Sequence, residues 1–187
     1  ICTSVNHQVV HGIPNDTPLL EGDIVSVDCG TLLNGYCGDS CYTFIVGDTT
    51  DEIKHLLQTT KESLYKGIEQ AVVGHRLGDI SYAIQTHCEN QGYGVVREFV
   101  GHGIGKKMHE DPQVPNYGKR GNGMLLKNGL CIAIEPMITM GAKEIYMQED
   151  RWGIITRDKK PAAHFEHTVC VRKGKADILS SFEEIEN

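Results

Sequence analysis

The 187-residue sequence lacks any run of about 18 apolar residues, so no helical membrane span is expected. Its first residues carry no charged leader, and no signal peptide is expected; because the chain opens on Ile1, its natural N-terminal portion is expected to be missing. The seven cysteines contain no C-x-x-C pair and are odd in number, which disfavours a disulfide framework and suits a reducing, cytoplasmic compartment. Cys29, Cys131 and Cys170 lie in apolar runs, where a free thiol behaves as a small hydrophobe. A surplus of basic residues is also absent: 18 Lys and Arg stand against 25 Asp and Glu, for a formal charge of −7. No sequence-independent nucleic-acid surface is built that way. The G-x-S-x-G elbow, the flanks of a thiol protease and both glycine-rich phosphate loops are missing as well.

What remains is the composition of an ordinary globular protein, 40% hydrophobic and 23% charged, long enough for one domain over residues 1–187. Residues 23–30 alternate as a half-polar strand, the Asn34-Gly35 pair marks a hairpin turn, and residues 40–46 read as the returning strand. Thr49 and Glu52 have capping-box spacing ahead of Ile53, Leu56, Leu57, Leu64, Tyr65 and Ile68, a helical series. Gly74 to Gly78 interrupts it, and a second helix is predicted from about Asp79 to Gln91, with Gly92 as its stop. Residues 101–129 read as loop; residues 130–139, 145–149, 153–157 and 163–172 read as strands. A hairpin, two helices and a run of strands indicate an α+β fold.

Five side chains carry the chemistry: Asp28, Asp39, His102, Glu135 and Glu166, in the contexts SVDCG, GDSCYTF, VGHGIG, AIEPM and HFEHT. Taken singly, Asp28 also suits a solvent-facing strand end, Asp39 a turn and His102 a flexible loop. Glu135 and Glu166 are harder to place that way, because each adjoins an apolar strand and buried glutamates are rare without a partner. The hairpin puts Asp28 and Asp39 on neighbouring strands. Four carboxylates and one imidazole match what two adjacent divalent cations need, and two such cations would offset four negative charges. A sugar-cleaving carboxylate pair would leave Asp28, Asp39 and His102 without a role.

In their flanking motifs these residues resemble the type I methionine aminopeptidases over essentially the whole chain. The matching runs are His11-Gly12-Ile13-Pro14, Asp28 and Asp39 eleven residues apart, Gly101-His102-Gly103-Ile104-Gly105, His109-Glu110-Asp111-Pro112, Ile134-Glu135-Pro136-Met137 and Phe165-Glu166-His167-Thr168. The resemblance implies the pita-bread (creatinase/aminopeptidase) fold, with two pseudo-symmetric halves around a dinuclear metal site. It implies removal of the initiator methionine from nascent chains, preferring a small second residue, with two divalent ions (Co, Mn, Fe, Zn or Ni). Asp28 would chelate one ion, His102 and Glu135 the other, and Asp39 and Glu166 would bridge them. Glu135 would also move the proton of the attacking water. His109 would donate to the forming oxyanion and His11 would contact the peptide beyond the cleaved bond. Cys2, Phe99, Met108 and Trp152 are the candidate methionine pocket; Phe99 and Trp152 equally suit core packing. The ribosome is a candidate partner, a membrane or nucleic acid is not, and a monomer is expected.

The chain departs from the family in three places. Members usually carry a further segment before the position of Cys2, often an aromatic residue where Met108 stands, and often Tyr where Phe99 stands. The 32 residues between His102 and Glu135 leave no room for the type II insertion. Two alternatives stay open. One is an Xaa-Pro peptidase of the same fold, although Met137 rather than Gly follows Glu135-Pro136. The other is an inactive pita-bread protein that binds peptides or ribosomes.

Overall fold

The computed structural model describes all 187 residues. Its main sheet is antiparallel throughout and eight-stranded, and it gathers strands from both ends of the chain. The strands are β1 (Cys2–Val5), β3 (Ile24–Asp28), β6 (Ser40–Ile45), β15 (Glu166–Cys170), β10 (Cys131–Ile134), β8 (Gly101–Gly103) and β9 (Glu110–Val114) in spatial order, with β16 (Asp177–Ile178) beside β15. Two three-stranded sheets flank it: β14 (Ala162–His164), β11 (Met137–Thr139) and β7 (Gly94–Val95) form one. The other is β12 (Ile145–Met147), β13 (Ile154–Thr156) and β2 (Gln8–Val10). The predicted hairpin is real but separate. β4 (Thr31–Leu33) and β5 (Tyr36–Gly38) turn through Asn34 and Gly35, both at positive φ, and form their own two-stranded sheet between β3 and β6.

Two helices cover one face. In α1 (Asp51–Gln70), Leu56, Leu57, Leu64 and Ile68 are buried; in α2 (Leu77–Asn90), Leu77, Ile80, Ile84 and Cys88 are. They meet closely at Gly67, where an added Cβ would stand 2.9 Å from Ile84 Cδ1. Both pack with Ile132, Ile134 and Val169 of the sheet, and with Phe165 and Val171 at the two ends of β15, in one core cluster of 22 residues. Full burial of each large aliphatic side chain contributes about 1.5–3 kcal/mol. Strand alternation then decides the rest: if Ile132 and Ile134 face the helices, Glu135 faces away.

Several expected boundaries move. The α1 cap is Thr50, whose Oγ1 accepts from Ile53 N at 3.4 Å, while Thr49 instead donates to the Gly22 carbonyl. The second helix starts at Leu77, where Asp79 Oδ2 accepts from Arg76 N at 2.8 Å. Its stop at Gly92, with φ of 82°, is as expected. Gly101–Gly103 is a buried strand rather than loop; there a Cβ on Gly101 would strike the Ala133 carbonyl and one on Gly103 the Asp111 carbonyl. The expected strands 130–139 and 163–172 each break in two. Pro136 and Phe165 mark the breaks, and in both cases the chain leaves one sheet for another. Cys29 is exposed and Cys131 half-buried, whereas Cys170 is buried.

Candidate metal centre

The sheet register lines up the site. Cys2 lies opposite Asp28, Asp28 opposite Cys41, and Cys41 opposite Glu166, a row across β1, β3, β6 and β15. Directly opposed residues share a face, so Asp28 and Glu166 flank the small Cys41 on the face turned away from the helices. Glu135 and Glu166 both sit where the chain changes sheet. Asp39, just ahead of β6, is clamped by Thr168: its N–H donates to Thr168 Oγ1 at 2.9 Å, and that hydroxyl donates to the Asp39 carbonyl at 2.8 Å. Asn116 Nδ2 donates to the Glu135 carbonyl at 2.9 Å.

The five expected ligands come together. Asp39, His102 and Glu166 each present an atom within 4.8 Å of the others. His102 Nε2 lies 3.8 Å from Asp39 Oδ2 and 3.5 Å from Glu135 Oε1, and the Asp28 carboxyl abuts that of Asp39. Glu166 is 2% exposed; Asp39, His102 and Glu135 are each 9% exposed. Burial and the Asp39 carboxylate push Asp28 up to about 7. Burial followed by the neighbouring carboxylates drives Glu135 and Glu166 well above the usual carboxylate range. Burial lowers His102.

These are the features of a cation site. His102 Nδ1 lies 2.9 Å from the Gly103 carbonyl, which only accepts, so the proton sits on Nδ1 and Nε2 is a bare lone pair. That lone pair faces two carboxylates, a repulsive arrangement that a cation between them reverses. Glu166 Oε1 is buried with no hydrogen-bond partner. Ligand bonds of about 2.1 Å span atoms up to about 4.2 Å apart, so a slight contraction of the triad holds an ion. The donor set suits first-row divalent metals and water activation.

Among the remaining expected residues, His109, Met108 and Cys2 adjoin residues of this centre, and His11 forms a separate cluster with Phe99 and Trp152. His109 stacks edge-on against His102 with centroids 4.3 Å apart. A cleft of about 590 Å³, bounded in part by His102, Lys107, His109 and Gln113, opens there. His11, at φ of 63°, is held between Trp152, stacked at 5.2 Å, and Phe99, edge-on at 5.4 Å. Phe99 also packs on a small core cluster with Met137 and Ile154, whereas Trp152 is 54% exposed. Met108 reaches over Gly30 beside Asp39; a Cβ there would meet Met108 Cε at 2.5 Å. Cys2 is half-buried. The sequence reading missed Cys41, Thr43, Asn116, His164 and Thr168. Two of them had a local signal: Cys41 and Thr43 follow Asp39 at period two.

Comparison with known proteins identifies the family. Residues 1–173 match the family model for metallopeptidase family M24. The methionine aminopeptidase of Clostridium acetobutylicum is 52% identical over 184 residues, which cover 98% of this chain and 74% of that protein. Methionine aminopeptidase 1 of Bacillus subtilis is 51% identical over 180 residues, covering 96% of this chain and 73% of its own. The crystal structure of methionine aminopeptidase from Rickettsia prowazekii superimposes with a TM-score of 0.93 at 46% identity, covering 95% of this chain and 72% of that one. Prolidase from Pyrococcus furiosus follows at a TM-score of 0.78 and 25% identity, with 97% and 49% covered. The pita-bread fold and the family resemblance read from the sequence both hold, and the chain belongs to metallopeptidase family M24.

Proposed function

We infer that this chain is a methionine aminopeptidase: it hydrolyses the first peptide bond of polypeptides that begin with methionine and prefers a small second residue. The observation that carries the reading is the set of three buried carboxylates, Asp39, Glu135 and Glu166, with half-buried Asp28 beside them and the bare imidazole nitrogen of His102, in a chain whose relatives at 43–52% identity are methionine aminopeptidases. Residues 1–187 act as one catalytic unit. Asp28 would hold one ion, His102 and Glu135 a second, and Asp39 and Glu166 would be shared between them; the four carboxylates would balance the charge of two divalent cations. When bound, the cations acidify water and polarise the scissile carbonyl.

The protein's own groups do the rest. Glu135 takes the proton from the attacking water. His109, at the cleft beside His102, donates to the carbonyl oxygen as charge develops on it. His11, clamped between Trp152 and Phe99, contacts the peptide past the cleaved bond. Cys2, Phe99, Met108 and Trp152 line the methionine side-chain pocket. No helix is long and apolar enough to cross a membrane; the seven free thiols support a cytoplasmic setting and, with it, nascent chains and the ribosome as partners of a monomer.

The test is a peptide assay after metal removal and reloading with Mn²⁺, Co²⁺, Fe²⁺, Zn²⁺ or Ni²⁺. Release of methionine from Met-Ala-Ser, with two ions bound per chain, is expected. Cleavage of Xaa-Pro but not Met-Ala peptides would move the chain to the proline-specific branch. A metal-loaded protein that cleaves neither is a binding protein.

A further inference from the structure

His164 ends β14, is 1% exposed, and its Nε2 is buried with no hydrogen-bond partner. A buried polar atom left unpaired loses its hydration without gaining a partner, which destabilises the fold unless a nearby group satisfies it. The backbone at His164 is clamped from both sides by Thr43. The His164 N–H donates to Thr43 Oγ1 at 3.1 Å, and that hydroxyl donates to the His164 carbonyl at 2.7 Å. Cys41 Sγ lies 3.5 Å from the same carbonyl. With its main chain held in this way, the ring points at Glu135, whose Oε2 stands 3.6 Å from Nε2.

The Glu135 carboxylate therefore lies between two imidazoles, one at each oxygen: His102 at Oε1, 3.5 Å away, and His164 at Oε2. The two rings cannot do the same work. His102 keeps its proton on Nδ1 for the Gly103 carbonyl and has only a lone pair at Nε2. A second bare nitrogen at the other oxygen would set lone pair against carboxylate in a dry site. The opposite tautomer of His164 turns that contact into a hydrogen bond.

We propose that His164 is a positioning residue for Glu135: its Nε2–H donates to Glu135 Oε2 and keeps Oε1 turned toward His102 and the metal position. The inference rests on the reading of Glu135 as a ligand that also carries a proton. A gap of 3.6 Å is too long for a hydrogen bond, and a few tenths of an ångström of side-chain movement close it. Closure satisfies the orphaned Nε2 and fixes the carboxylate by its second oxygen. That leaves one oxygen free for the ion and the water, as outer partners of metal-binding groups commonly arrange.

Two variants test it, His164→Leu and His164→Gln, each measured with the intact chain. Leucine fills the space without a donor, and the amide of glutamine can still reach Oε2. His164→Leu is expected to lower kcat on Met-Ala-Ser about 10–100-fold with KM little changed, and to weaken Mn²⁺ binding by titration calorimetry about as much. His164→Gln is expected to recover most of both. The melting temperature of the metal-free protein should not fall in either variant. Unchanged kcat and Mn²⁺ affinity in His164→Leu overturn the proposal. So does a glutamine variant as impaired as the leucine one, or a loss that only follows a fall in metal-free stability. If the unsubstituted protein binds Mn²⁺ but cleaves nothing, the peptidase reading fails, and the Mn²⁺ titrations still decide the role of His164. An unsubstituted protein that does not bind Mn²⁺ overturns both.

Discussion

Among the five proposed ligands, Glu166 has the least access to water and an oxygen that no protein donor satisfies. Glu166→Ala should lower kcat/KM more than about a hundredfold and leave fewer than two ions per chain by elemental analysis, since outer partners alone are worth 10–100-fold. Retained activity with both ions bound would sink the bridging assignment. Thr168 acts one step further out, through its two hydrogen bonds to the Asp39 backbone. Thr168→Val should weaken Mn²⁺ binding about 10–100-fold because Asp39 loses its clamp. An unchanged isotherm would show that the Asp39 backbone is held without Thr168. The two residues differed in how readable they were. A glutamate beside an apolar strand stands out by itself; a threonine in a strand is ordinary until register brings Asp39 against it.

The strands matter through their crowding. β8 passes so close to its neighbours that the flanks of His102 must be glycine, because a Cβ on either would enter a backbone carbonyl. Gly101→Ala should therefore destabilise the fold by about 1–3 kcal/mol, read from the urea midpoint, and should shift His102 enough to weaken metal binding. A midpoint equal to that of the unsubstituted protein would mean that β8 has slack the geometry denies. The sequence reading saw these glycines as a loop, a natural inference from composition. Their cause lies in strand pairing: the excluding carbonyls belong to Ala133, 32 residues from Gly101, and to Asp111 on the neighbouring strand β9, eight residues from Gly103. The same holds for Pro136 and Phe165, where apolar continuity suggested one strand and tertiary pairing made two.

Across the whole molecule, the centre couples metal, protons and stability. Raised carboxylates stabilise the fold when protonated. For Asp28 this contribution is full below about pH 4 and is lost as pH rises through its folded value of about 7. Glu135 and Glu166, also raised by burial, contribute in the same sense. Burial acts on His164 and His167 in the other sense, pushing them down to about 3 and about 4, so their contribution is full above about pH 6.5 and is lost as pH falls through those values. Protons and metal compete for the carboxylates. The rise in melting temperature on adding Mn²⁺ to chelated protein should thus be larger at pH 8 than at pH 6 by scanning calorimetry. An equal or reversed difference would contradict carboxylates as the principal ligands.

The sequence by itself determined the candidate ligand set, the two helices and the family, because these rest on residue identity and on short-range periodicity. Asp28, Asp39, His102, Glu135 and Glu166 are chemically distinctive wherever the chain places them. Only the tertiary structure decided how the row Asp28, Cys41 and Glu166 forms, why the glycines beside His102 are needed, and which uncharged groups hold the ligands. These depend on contacts between residues as many as 129 positions apart, as between Asp39 and Thr168. Register of that kind is set by packing of the whole sheet, which no local pattern records.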